Sequence, residues 1–277
     1  MDLLFQAIVI GIVQGLTEFL PVSSSAHLII VPRLLGWNDP FINSAAFDVM
    51  LHIGTLVALL IYFWRDLLKL LGAWLASIRD RRIGDDPDRR LAWLIFISML
   101  PGAILGAALE NFFDTFFHDP SRLIYVAALV AVGAVVLWLA ERVGTKSRTL
   151  ADMRFPDAVV IGAAQAGALF AGISRSGITI AAGLFVGLER EAAARFAFLM
   201  AVPIIGGAGL WKSRELLNGG LAAANVAPLI AGMIAALLAG LLAVSVLLAY
   251  LRRHDTNIFI VYRLVLAAVL VIYVVTR

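Results

Sequence analysis

The chain has 277 residues, 62% hydrophobic and only 15% charged, with a mean hydropathy of +0.95, whereas a soluble domain is about half apolar and about a quarter charged. Such a composition excludes a soluble catalytic domain and indicates an integral membrane protein, with room for about six to eight segments of roughly 20 apolar residues. The absence of cysteine excludes disulfides, thiolate metal sites and cysteine nucleophiles. The net charge of +3 matters less than where the charges sit.

Apolar stretches run at about 3–31, 46–64, 91–110, 122–141, 156–188, 195–212, 226–251 and 258–276. Asp2 precedes the first, and a basic leader and a small-residue cleavage site are both missing, so it reads as mature structure and not a signal peptide. Two stretches are abnormal. The first is broken by Pro21 and Ser23-Ser24-Ser25, the fifth by Gly172, Ser174, Arg175, Ser176 and Gly177. Each is too long for one passage and too polar for two. Each is therefore expected to be a re-entrant helix–loop–helix, since non-helical backbone at membrane depth survives only under protein or beside a water-filled cavity. The other six read as ordinary transmembrane helices, giving an all-α polytopic membrane protein in a single domain spanning 1–277.

If both dips return to the side from which they start, the loops at 65–90, 142–154, 189–195 and 251–257 share one side and hold fifteen basic residues against five on the other (Arg33, Arg122, Lys212, Arg214 and Arg277). The basic side is cytoplasmic, which places both termini and the mouth of the first dip in the periplasm or exterior. The second dip then starts from the opposite face. This parity implies an inverted repeat, a first half of about 1–141 and a second of about 142–277. At an offset of 151, Gln14 meets Gln165, Phe19 meets Phe170, Ser23 meets Ser174 and Ser25 meets Ser176. Two halves interleaved around broken helices place a site near the midplane.

Polar groups at membrane depth cost about 2.5–3.5 kcal/mol each and are functional candidates by default. Gln14 and Glu18, spaced i,i+4, share a helix face leading to the first break. Ser23, Ser24 and Ser25 stand where a new half-helix begins, a place suited to anions, and His27 lies three and four residues beyond Ser24 and Ser23. The second break adds Ser174, Arg175, Ser176 and Thr179, a guanidinium fork among hydroxyls that matches phosphate oxygens. Together they supply a nucleophile or water, an acid/base and an electrophilic clamp, the kit for phosphoryl transfer.

Plainer readings apply elsewhere. Ser25 and Ser176 are as readily bonded back to carbonyls. Asp48 and His52, flanking a regular helix, are read as structural or rim groups. Glu110, Glu141 and Arg142 fall at helix ends and are read as interfacial, while Trp37, Trp64, Trp74 and Trp93 suit an aromatic belt. The run Arg79 to Arg90 reads as a solvated cytoplasmic turn. Arg263 fits either a second charge in the site or a snorkelling residue.

The stretches QGLTEFLPVSSSAHL at 14–28 and GISRSGIT at 172–179 resemble the two signature motifs of the undecaprenyl-diphosphate phosphatase, or bacitracin-resistance, family. The first falls on Gln14, Glu18, Ser23, Ser24 and His27; the second on Gly172, Ser174, Arg175, Ser176 and Thr179, with Ala171 where the family has proline. The resemblance implies removal of the terminal phosphate of a C55 polyprenyl diphosphate at the periplasmic face of the bacterial cytoplasmic membrane, recycling the carrier lipid for cell-wall synthesis. It implies Glu18, His27 and Arg175 as an essential trio with Ser24 or Ser23 as nucleophile or phosphate ligand. It also implies a divalent cation, Mg²⁺ or Ca²⁺, for which Glu18 is the available carboxylate. The partners expected are the lipid substrate and the membrane, with a homo-oligomer left open and no nucleic acid. The competing reading is a transporter or flippase for an anionic lipid, and a third is a lapsed homologue acting as a scaffold.

Overall fold

The computed structural model describes residues 2–118, 122–219 and 223–276, with side chains described outside 110–121 and 211–224. The readings made of Glu110, Lys212, Arg214 and Arg277 lie outside the described residues. The described chain is helical, its sole β pairing an isolated bridge between Arg148 and Leu188. The helices are α1 (Leu3–Phe19), α2 (Ser24–Leu35), α3 (Ala45–Tyr62), α4 (Trp64–Arg79), α5 (Pro87–His118), α6 (Leu123–Val143), α7 (Phe155–Ala166), α8 (Arg175–Phe185), α9 (Arg190–Gly219), α10 (Ala223–Leu251) and α11 (Asn257–Val275).

Six helices carry spans long and apolar enough to cross a bilayer: Ala45–Tyr62, Pro87–Leu109, Leu123–Val143, Arg190–Leu210, Asn225–Leu251 and Asn257–Val275. They correspond to the six ordinary stretches read from the sequence. The two abnormal stretches are the broken pairs α1/α2 and α7/α8, each pair in mutual contact. Local chemistry sets their limits. Asp2 caps α1 through Leu4 N, Ser44 caps α3 through Phe47 N, and Gly36, at φ +68°, turns the chain out of α2 in the left-handed conformation.

Packing crosses between the halves: α1 lies on α10, α7 on α5, α3 on α9 and α6 on α11. Two of these contacts are backbone-close. A Cβ on Gly11 of α1 would sit 2.2 Å from Gly232 O of α10, and one on Gly162 of α7 2.4 Å from Ser98 O of α5. Glycines that let helices touch in this way are a membrane-helix device, and these two are related by the same offset as the matched serines.

The four basic loops gather at one end of the bundle. Arg195 pairs with Asp66 at 3.0 Å, Arg252 with Glu191 at 2.8 Å, Arg90 donates to Ala151 O, and Arg190 pairs with Glu141, which also accepts from Thr256 Oγ1 at 2.9 Å. Glu141 is thus a buried tie within this end and not an interfacial group. Trp37 too is buried, edge-on to Phe5, while Trp64 is exposed and Trp74 packs with Trp93. Helix α4 occupies much of the region read as loop. Its apolar residues recur at helical spacing (Leu67, Leu70, Leu71, Trp74, Leu75, Ile78) among Arg65, Asp66, Lys69 and Arg79, an amphipathic pattern invisible to a search for continuous apolar runs. The turn that follows is exposed, as expected, with Asp80 held between Arg79 and Arg89.

Candidate active site

Both breaks have one design. Ser23 and Ser174 adopt positive φ (74° and 72°), uncommon for a residue with a Cβ. Each caps the helix that follows, accepting from Ala26 N and Gly177 N, and each hydroxyl contacts that of the serine two residues on, Ser25 at 3.1 Å and Ser176 at 3.2 Å. The breaks also grip one another: Ser176 Oγ donates to Leu20 O at 2.9 Å, and Gly172 N donates to Ser25 Oγ at 3.4 Å. Ser25 and Ser176 therefore tie break to break instead of bonding back along their own helices. Arg263 of α11, fully buried, completes the junction. It donates to Pro21 O (3.3 Å), Gly172 O (2.9 Å), Ile173 O (2.9 Å) and Val130 O (3.2 Å). It neither snorkels nor enters the site; it holds the carbonyls released where α1 and the α7 segment end.

The starts of α2 and α8 flank a cavity of about 210 Å³. It is lined by the polar groups Glu18, Ser24, Ser25, His52, Ser174, Arg175 and Gln165 and by Gly102, Ala168, Leu169 and Ile204. Glu18 is the hub. Oε1 pairs with Arg175, while Oε2 accepts from Ser24 Oγ at 2.6 Å and Gln14 Nε2 at 3.0 Å and lies 3.3 Å from His52 Nε2. His52 Nδ1 donates to Asp48 O at 2.7 Å. With that proton so used, Nε2 meets a carboxylate favourably only by carrying a second proton, so His52 faces Glu18 as an acid.

The structure brings Glu18, Ser24, Ser25, Ser174 and Arg175 to one cavity and places His27, Thr179, Ser23, Gln14 and Ser176 off its lining. His27 is outside the cavity: Nδ1 donates to Ser23 O at 2.7 Å and Nε2 meets Tyr262 Oη at 2.7 Å, with the two rings stacked. Both nitrogens are engaged, and the imidazole braces the left-handed serine. The imidazole in the cavity is His52, read from the sequence as a rim group. Thr179 is buried and bonds back to Arg175 O at 2.7 Å, and Ser23 and Gln14 support the site from behind without lining it.

A divalent cation fits poorly with the donor set. Glu18 is the single carboxylate on the cavity, and both its oxygens are engaged by Arg175, Ser24, Gln14 and His52. Among the described residues no cluster of three His, Asp or Glu side chains forms.

A polytopic helical protein with a hydroxyl, a carboxylate and an arginine converging on two broken helices defines a membrane protein with a site for an anionic group. Comparison makes this specific. Residues 7–269 match the family described as bacitracin resistance protein BacA, and the chain belongs to that family. It is 46% identical over 274 residues to the undecaprenyl-diphosphatase of Thermomicrobium roseum, covering 98% of each chain. It is 46% identical to that of Moorella thermoacetica (96% of each) and 44% identical to that of Desulforudis audaxviator (99% of this chain, 98% of the relative).

Proposed function

We propose that this chain is a phosphatase that hydrolyses undecaprenyl diphosphate to the monophosphate and inorganic phosphate, returning the carrier lipid to cell-wall synthesis and so conferring bacitracin resistance. Family membership supports the reaction, and one contact supports its course: Ser24 Oγ donates at 2.6 Å to Glu18 Oε2, at the N-terminus of α2. Glu18 takes the Ser24 proton as Oγ attacks the terminal phosphorus and gives it to the departing lipid monophosphate as the anhydride bond breaks with its electron pair on that oxygen, leaving a phosphoserine. Glu18, ionised again, takes a proton from the water that attacks the phosphoserine and returns it to Ser24 Oγ as the serine–phosphorus bond breaks and phosphate leaves. Arg175 and the first-turn amides of α2 and α8 neutralise the oxygens in flight, and His52 holds the Glu18 carboxylate in place through its Nε2 proton. His27 acts through Ser23 as a positioning residue.

The transporter reading is not favoured, because a carrier needs anion ligands but no hydroxyl set against a carboxylate. In this proposal the two broken pairs are re-entrant and related by inversion; the matched serines and the matched glycines Gly11 and Gly162 support it. The cavity faces the periplasm of the cytoplasmic membrane; the basic residues concentrated in the four loops that meet at one end of the bundle, read as cytoplasmic, support this. The chain lacks cysteine, so single cysteines at Asn38 and Gly84, both exposed, can report sidedness: an impermeant maleimide is expected to label the first in intact cells and the second only after lysis, and the reverse pattern overturns the orientation. For the reaction, purified protein with polyprenyl diphosphate is expected to release phosphate and Ser24→Ala to lower kcat at least a thousandfold. Full turnover by Ser24→Ala would make water the nucleophile.

A further inference from the structure

Gln165, on α7 and lining the same cavity as Ser24, is 3% exposed, and neither Oε1 nor Nε2 of its carboxamide has a hydrogen-bond partner among the described residues. Buried side-chain amides are almost always satisfied, and one that is not calls for an explanation. Its counterpart in the first half, Gln14, donates to Glu18 one helical turn on. In the second half the position matching Glu18 is Leu169, so Gln165 finds no carboxylate there and its donors remain unspent. The backbone across the way leaves the amide its room: a Cβ on Gly102 would lie 2.9 Å from Gln165 Nε2. Apolar lining groups adjoin the amide: Ala168 and Leu169 follow Gln165 on its own segment, and Leu169 lies against Gly106 one turn along α5 from Gly102.

We propose that the Gln165 carboxamide binds the phosphate that stays on the lipid, donating through Nε2 to its oxygens beside Ala168 and Leu169. Ser24, Glu18 and Arg175 take the terminal phosphate. The inference rests on the phosphatase reading above, and it assigns the two phosphates of one substrate to two sets of residues lining one cavity. A neutral donor suits this place: it holds the product's phosphate without the charge that would keep the product from leaving.

The test compares purified wild-type protein with Gln165→Met, which keeps the length and removes the amide, and Gly102→Ala, which pushes the amide aside without removing it. The probes are a prenyl monophosphate and inorganic phosphate, each as an inhibitor of turnover, together with direct binding of the prenyl monophosphate. Gln165→Met is expected to raise KM and the inhibition constant of the prenyl monophosphate at least tenfold and to change that of inorganic phosphate less than threefold. Its Tm should be equal to or above wild type, because two unpaired buried atoms are gone. Gly102→Ala should shift the same constants in the same direction. Unchanged prenyl monophosphate affinity in both variants overturns the assignment, as does an equal loss for the two probes. Direct binding reads the contact without turnover, so a wild-type protein that binds the monophosphate through Gln165 but releases no phosphate would refute the phosphatase reading alone.

Discussion

Ser23 and Ser174 hold one backbone conformation at two matched helix starts, φ/ψ of 74°/92° and 72°/115°, each with its hydroxyl on the amide three residues on. A left-handed residue with a Cβ costs of order 1–3 kcal/mol and an N-cap contributes about 1 kcal/mol, so side chain and backbone act in opposite directions here. Alanine loses the cap and keeps the strain; glycine loses the cap and relieves it. At either position the Ala variant is therefore expected to melt several degrees below the Gly variant, by thermal denaturation in detergent. An Ala variant as stable as Gly would show that the conformation carries no strain.

His52 and His27 separate the two imidazoles by role. His52→Ala is expected to lower kcat about a hundredfold or more with little change in Tm, since it removes the group facing Glu18 Oε2 from a partly exposed position on α3. His27→Ala should instead lower Tm, through the lost bonds to Ser23 O and Tyr262, and Tyr262→Phe should reproduce part of that loss. Phosphate release normalised to folded protein checks both. Near-normal turnover in folded His52→Ala would remove it from the mechanism.

Much of this was readable from residue order because the membrane penalises polar groups. Pro21 and three serines in one greasy run, and Gly172 to Gly177 in another, had to be breaks, and Glu18, Ser24 and Arg175 had to be near them. The rest depends on packing that periodicity does not contain. His27 follows Ser24 at helical spacing, which fixes its height on α2 but not the side its ring takes, and that is settled by Tyr262 of α11. His52 sits in an otherwise regular span, and nothing local marks it as facing a carboxylate on a different helix. Arg263 looked ambiguous because its partners are carbonyls, which every residue has and which only the breaks leave free. Helix α4 was missed because its apolar residues form a stripe and not a run.

The pair of Glu18 and Arg175 is expected to be strongly non-additive. Arg175→Met leaves a buried carboxylate uncompensated, a loss of about 3–5 kcal/mol when one partner of a buried pair is removed, whereas Glu18→Gln with Arg175→Met removes both charges. In the double-mutant cycle of these two substitutions on Tm, the double variant should be more stable than Arg175→Met alone, while activity is lost in all three variants. Additive Tm losses would place the two side chains out of contact. Arg175→Lys is expected to recover stability in part but not turnover, because an ammonium lacks the planar fork.

Arg263 gives the test of the junction itself. Its guanidinium meets four carbonyls, three of them at the two breaks, and removing it strands buried acceptors at about 1–3 kcal/mol each. Arg263→Met should therefore destabilise by more than about 3 kcal/mol on that accounting and abolish activity without touching the cavity. The same result should follow from a residue with no polar group at all. A Cβ on Gly133 of α6 would lie 1.9 Å from Arg263 Nη2 and 2.8 Å from Ile173 O, and a guanidinium held by four bonds cannot step aside. Gly133→Ala is thus expected to match Arg263→Met in Tm and in lost phosphate release, with little further loss in the double variant. If Gly133→Ala melts and turns over like wild type, the arginine has room to move and the breaks are held by their serines alone.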